Sequence, residues 1–239
     1  MSFTYDVLAA AAISAAFAGA ARAMRGVTRS GAIAGSVASF VLCVSAGLRA
    51  FAVLLSVFIL SYVATKLGRV RKEALGTAER AEGRKASQII ANLGVGTVAA
   101  LLSRIMGHRA IFLLAMTAAF AEAAADTVSS EVGQAFAEEP RLITNWSRVR
   151  AGTDGGVTLT GTVAGGLAAL LIGIVSAGAG LISWPRVGLV GIVGWLGMLF
   201  DSLLGATLER KGILDNDQVN FLGTLSAAIL AILVSRVSG

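Results

Sequence analysis

Eight stretches of about 15–26 largely apolar residues, divided by short charged segments, set the strongest limit on what this chain can become. A helix needs about 20 such residues to cross a bilayer. Inside the hydrocarbon every backbone N–H and C=O must be satisfied within the segment, so helices are the natural solution. The stretches predict helices near 5–22, 31–48, 50–65, 86–104, 110–130, 157–182, 187–208 and 218–235. Arg49 alone separates the second from the third, which predicts a tight hairpin there. The expected fold is therefore all-α: a polytopic transmembrane helix bundle of about eight spans, with residues 1–239 forming a single integral-membrane domain. Composition agrees, since 56% hydrophobic and 14% charged residues, with 29 Gly, are too apolar and too glycine-rich for an ordinary soluble domain.

Charge distribution orients the bundle. Val7–Ala20 followed by Ala21-Arg22-Ala23 imitates a secretory signal, but no basic segment precedes it and Arg22, Arg25 and Arg29 follow it. That order predicts a retained first helix with its amino terminus outside. Loops 22–30, 66–85, 131–156 and 209–217 then face the cytoplasm and hold 15 of the 20 Lys and Arg residues. This is the bias expected of a multi-pass protein, here of a prokaryotic cytoplasmic membrane. The net charge of +6 is accounted for by these flanks and by lipid or phosphate headgroups, so no nucleic-acid partner is expected. Membrane lipids are the expected surroundings, and a homo-oligomer is allowed.

The acids carry more information. Of 14 Asp and Glu residues, 13 fall in those same loops or in the cytoplasmic half of a helix, the exception being Asp6. Carboxylates do not follow the positive-inside rule, so topology alone leaves this bias unexplained. A charge at the centre of a membrane helix costs roughly 2.5–3.5 kcal/mol on insertion scales and usually marks function. Cys43 and His108 are single, which excludes a disulfide framework and histidine-based metal or triad chemistry.

Five polar clusters define the candidate site. Lys85, Gln88 and Asn92 fall at i, i+3 and i+7 and suit a phosphate held by an ammonium with amide donors behind it. Glu122 and Asp126, with Ser129, Ser130 and Glu131 after them, offer carboxylate and hydroxyl oxygens, hard ligands suited to Mg²⁺, and Gly133 continues a nearby face. Arg148 and Arg150 precede Gly152-Thr153-Asp154-Gly155-Gly156, where glycines beside a helix start can offer N–H groups to phosphate. The spacing is not that of a P-loop. Asp201 and Ser202 lie about eight residues, roughly 12 Å, inside the seventh helix, too deep for a short carboxylate to reach water. Asp217 and Asn220 open the last helix on one face. Glycine pairs such as Gly31/Gly35 and Gly161/Gly165, and the run Gly188, Gly191, Gly194 and Gly197, are expected to serve helix packing.

Lys85-Ala-Ser-Gln88 with Asn92, Ala125-Asp126-Thr127-Val128-Ser129-Ser130-Glu131-Val132-Gly133, Gly152-Thr153-Asp154-Gly155-Gly156-Val157 and Asp201-Ser202-Leu203-Leu204-Gly205-Ala206 together resemble the integral-membrane family that includes plant phytyl-phosphate kinase. The ordered set covers nearly the whole chain. The chain departs from the expected family pattern at Glu209, where glutamine is anticipated. The resemblance implies Mg²⁺-dependent phosphoryl transfer from a nucleoside triphosphate, CTP or ATP, to phytyl or a similar prenyl monophosphate. The product is the diphosphate, of use in tocopherol or related prenyl-lipid synthesis.

On this reading Lys85, Asp126, Glu131, Asp154 and Asp201 carry the chemistry, and Asp126, Glu131, Asp201 and Asp217 are metal ligands. Gln88, Asn92, Ser130, Arg148, Arg150, Thr153, Gly155, Gly156, Ser202 and Asn220 would bind the phosphates of substrate or nucleotide. Two alternatives stand beside it. A cytidylyltransferase would form a CDP-lipid from similar groups, and an ion-coupled transporter would place its acids near mid-membrane, reachable from both sides.

Overall fold

In the computed structural model, which describes residues 3–79, 81–136 and 139–237, nine helices form among the described residues. They are α1 (Phe3–Ala23), α2 (Arg29–Ala46), α3 (Leu48–Lys66), α4 (Arg69–Leu75), α5 (Ala86–Ile105), α6 (Arg109–Ala135), α7 (Leu159–Gly178), α8 (Val187–Leu204) and α9 (Asn216–Val237). All except α4 are long and apolar enough to cross a membrane. The eight expected spans are present, with ends shifted by a few residues. The hairpin between the second and third breaks at Gly47 rather than Arg49, because the turn needs φ +80, which glycine tolerates without strain.

The centre of the bundle is α6. Its run Ala118-Ala119-Phe120-Ala121-Glu122-Ala123-Ala124-Ala125 is buried on every side, and it packs against α3, α5, α7, α8 and α9. A helix that is apolar all round belongs inside a bundle. Alanine lets the neighbours come close, which matters in lipid because packing, not water exclusion, holds helices together. Glycines on those neighbours complete the fit. A Cβ on Gly96 would overlap the Phe120 ring, one on Gly165 would press on Ala125 O and Met198 Sδ, and one on Gly194 would meet Ala121 at 2.9 Å. The packing role expected of the glycines thus holds at Gly161, Gly165, Gly191, Gly194 and Gly197. Gly35 and Gly188 face open space instead.

The connections after α1, α3, α6 and α8 gather at one end of the bundle. Nothing in the residue pattern signals α4, which lies in the second of these connections, between α3 and α5. It is pinned by Lys72, a lysine only 1% exposed. Lys72 Nζ donates to the carbonyls of Ala64 and Thr65 and forms an ion pair with Glu131 Oε2 on α6. Between α6 and α7 the chain makes a two-residue antiparallel pairing, β1 (Arg141–Leu142) with β2 (Gly156–Val157). After Leu204 the helix widens into a single π turn, Gly205–Glu209, closed by Arg210 N donating to Gly205 O at 3.2 Å.

Candidate functional site

At this end of the bundle the helix ends and connections enclose a cavity of about 320 Å³. Its charged lining is one-sided. Glu79, Asp126, Glu131, Asp154, Asp201 and Glu209 face it, against the single cation Arg84 among the described residues.

Arg84 is held by its backbone. Its N–H donates to Gly26 O and its carbonyl accepts from Thr28 N, so the segment is laid along the α1–α2 turn. Glycine makes that passage possible. A Cβ on Gly83, at φ +83, would strike Gly26, and one on Gly31 would overlap Arg84 O. The guanidinium then reaches toward α6, where Nη2 donates to Thr127 Oγ1 at 3.4 Å, one residue from Asp126. Gly31→Ala should therefore displace Arg84 and cost about 1–3 kcal/mol, the usual range for overpacking. Gly35→Ala, one turn along the same helix with open space around it, should be neutral or stabilising by up to about 1 kcal/mol. Denaturant unfolding in detergent, followed by tryptophan fluorescence, checks both.

The carboxylates come from different helices. Asp126 sits on α6, Asp201 on α8, Glu209 at the end of the π turn and Asp154 in the α6–α7 connection. Asp201 lies within electrostatic range of Asp126 and Glu209, and Asp126 within range of Arg84 and Glu131. Asp201 is 9% exposed and its Oδ2 has no hydrogen-bond partner. Directly behind it, Glu122 is buried with Oε1 equally unpartnered. Gly223 of α9 leaves the room for both, since a Cβ there would lie 2.5 Å from Glu122 Oε1 and 3.2 Å from Asp201 Oδ2. Buried carboxylate oxygens without partners are costly, and a cation is the usual way to satisfy them.

The Gly152–Gly156 loop forms the lid of this arrangement. Gly152 and Gly155 adopt φ +78 and +73, and Gly156 N donates back to Thr153 O. Gly155 lies directly on the π turn, where any Cβ would overlap the backbone of Ala206. Asp154 is thereby brought to the same wall as Glu209. Single π turns occur often at functional sites because they re-aim the side chains that follow.

Most of the expected residues line this one cavity: Gln88, Asn92, Asp126, Ser130, Glu131, Thr153, Asp154, Gly155, Gly156, Asp201, Ser202 and Asn220. Asn92 Nδ2 donates to Gln88 O, and Asn220 Nδ2 to Asn216 Oδ1. Four expected residues lie elsewhere. Lys85 and Asp217, 3.9 Å apart, line a neighbouring hollow that shares Glu79, Gln88 and Asn216 with the cavity, and neither lines the cavity itself. Lys85 is the N-cap of α5 with an extended backbone, and the helical face begins only after it. Arg148 pairs with Glu139, both side chains 69% exposed, and Arg150 is also exposed on the outer surface of the loop. Glu131 borders the cavity, but its oxygens are engaged, Oε1 by Thr65 Oγ1 and Oε2 by Lys72 Nζ. Both oxygens are thus spent on tying α6 to α3 and α4. Arg84, Thr77, Glu79 and Gln134 were not foreseen at the site.

Eight spans around an acid-lined cavity at one end define an integral multi-pass membrane protein with a polar site built from its helix ends. The chain belongs to the family described as integral membrane protein DUF92, which it matches over residues 12–228. An uncharacterised membrane protein of Methanocaldococcus jannaschii, MJ0933, is 38% identical over 205 residues, covering 85% of this chain and 84% of that protein. Protein VTE6, chloroplastic, of Arabidopsis thaliana is 33% identical over 198 residues, which is 80% of this chain and 60% of the plant protein. An uncharacterised membrane protein of Synechocystis, sll0875, is 32% identical over 190 residues, 78% of this chain and 74% of that protein. No solved structure matches the chain.

Proposed function

We propose that the protein is a membrane lipid-phosphate kinase that transfers the γ-phosphoryl group of CTP or ATP to a prenyl monophosphate on the cytoplasmic side of the membrane. The observation that carries this reading is the cavity's charge: six carboxylates, one of them paired with Lys72, and one arginine around about 320 Å³. Alone, such a wall repels phosphate. It accepts a nucleotide only together with divalent cations. Among the described residues no three His, Cys, Asp or Glu side chains converge tightly enough to hold a metal by themselves. That suits Mg²⁺, which typically takes one or two carboxylates and completes its shell with substrate phosphates and water. Asp126 and Asp201 would hold it, with Asp154 or Glu209 beside them; when bound, it neutralises the charge shared between donor and acceptor phosphates.

The chain's own groups do the remaining work. Arg84 binds the acceptor phosphate and faces it toward α6. Asn92 and Asn220 orient phosphate oxygens through their amides, and the Gly152–Gly156 loop covers the donor from above. An oxygen of the acceptor phosphate then attacks the γ-phosphorus, the bond from that phosphorus to the β-bridging oxygen breaks, and the nucleoside diphosphate leaves. No general base is needed, because a phosphate monoester oxygen is already deprotonated. Catalysis of this kind rests on positioning and electrostatics.

The family resemblance read from the motifs supports this class of substrate, and the positive-inside count supports a cytoplasmic site. The cavity lies toward one end of the bundle rather than at its middle, which speaks against a transporter site open from both sides. Purified protein incubated with Mg²⁺, CTP or ATP, and phytyl or geranylgeranyl monophosphate is expected to yield the prenyl diphosphate by mass spectrometry, one equivalent per nucleoside diphosphate. A CDP-linked lipid with pyrophosphate would instead identify a cytidylyltransferase. Substrate uptake into proteoliposomes without nucleotide consumption would identify a transporter.

A further inference from the structure

A second hollow adjoins the cavity. It runs between α1, α2, α3 and α5, and its walls are apolar, formed by Phe17, Gly35, Leu54, Val57, Phe58 and Leu93 among others. Its ionisable groups are few: Lys66, Tyr62, Glu79 and Arg84, with Lys66 over the Tyr62 ring at 5.1 Å. Glu79, Arg84 and Asn92 line both hollows, so the apolar groove opens into the acidic cavity beside its cation. The combination of a hydrocarbon-lined slot with charge gathered where it meets a polar chamber has the polarity of a lipid phosphate.

We propose that the apolar groove between α1, α2, α3 and α5 holds the hydrocarbon tail of the substrate, with Arg84 at the junction holding its phosphate. This rests on the lipid-phosphate kinase reading above and adds where the tail lies and what limits its bulk. The floor is set by α2. Gly31 is closed by the Arg84 backbone, but Gly35, one turn further on, has no atom within 4 Å of where a Cβ would stand. The absent side chain at Gly35 is part of the slot's width. The opposite wall is an aromatic pair, Phe17 and Phe58, in edge-to-face contact with ring centroids 5.3 Å apart. The α1–α2 turn that borders the groove also clamps the Arg84 backbone, so a seated tail and a correctly aimed guanidinium depend on the same turn.

Gly35→Leu puts bulk into the slot from a position whose Cβ meets nothing within 4 Å. The test uses the full chain in nanodiscs with two probes: an isoprenyl monophosphate carrying a photoreactive diazirine on its tail, and a series of prenyl monophosphates of increasing length. Wild-type protein should label within residues 17–35 or 54–62, and excess unlabelled geranylgeranyl monophosphate should compete. Gly35→Leu should lower that labelling at least about tenfold, the effect of losing roughly two buried methylene contacts. It should lower the ratio of kcat/KM for geranylgeranyl over dimethylallyl monophosphate by a similar factor. Gly35→Ala serves as the folding control, and denaturant unfolding of Gly35→Leu should match it. If Gly35→Leu does not fold, Phe58→Ala takes its place and should shift labelling and length preference through the opposite wall. Labelling confined to other segments, or unchanged by either variant, overturns the groove assignment even where kinase turnover persists. Competed labelling in the groove without any phosphoryl transfer keeps the tail site and sinks the kinase reading instead.

Discussion

Asp126→Asn and Asp201→Asn should each lower diphosphate formation by at least about 10³-fold, the scale set by several kcal/mol of metal-borne charge stabilisation. Both substitutions preserve shape, exchange one carboxylate oxygen for an amide NH2 and remove the negative charge. The two residues belong to separate helices, α6 and α8, yet face one cavity, and Asp201 Oδ2 is buried without a partner. An amide there cannot supply the negative charge that a bound cation requires, while the fold loses little. Steady-state turnover, read beside denaturant unfolding in detergent, separates the two effects. Wild-type turnover in both variants would remove these carboxylates from the mechanism.

Lys72→Met should be the most damaging change to stability, about 3–5 kcal/mol, because it leaves a buried partner charge uncompensated. Lys72 is 1% exposed and gives up three donors, to Ala64 O, Thr65 O and Glu131 Oε2. Met keeps the length and apolar stem but none of those contacts. The double variant Lys72→Met with Glu131→Gln removes the stranded charge and should recover much of the loss. Denaturant midpoints of the two variants in detergent measure this. If the double variant is no more stable than the single one, the buried pair is not what anchors α4.

How much of this was readable beforehand follows from what each residue depends on. Spans are set by the length and apolarity of a contiguous segment, so all eight were legible, and the one-sided acids pointed to the end of the bundle where the candidate cavity lies. Asp126 and Asp201 were found because a carboxylate at that depth has no inexpensive explanation. Arg84 was missed for a geometric reason. The i, i+3, i+7 face traced from Lys85 assumes a helix that starts at or before it, whereas α5 begins at Ala86 and Lys85 caps it in an extended conformation. The preceding arginine gains its direction from Gly26, Thr28 and Gly31, more than 50 residues away in the chain. Long-range backbone clamps of this kind leave no local signal. The same holds for Lys72, a residue type almost never fully buried unless paired, and for α4, a short helix inside a charged connection. Arg148 and Arg150 lie in the right connection, but Arg148 turns outward to Glu139 across a loop whose hairpin pairing was not foreseen.

A cation-dependent nucleotide site formed by these carboxylates should be visible in Mn²⁺ binding followed by electron paramagnetic resonance. With purified protein, Mn²⁺ should bind weakly alone and at least about tenfold more tightly when CTP or ATP is present, as expected when phosphates complete the metal's shell. The variant combining Asp126→Asn and Asp201→Asn should abolish that enhancement. Identical Mn²⁺ binding by wild type and the double variant, with or without nucleotide, would mean that Asp126 and Asp201 hold no metal–nucleotide site.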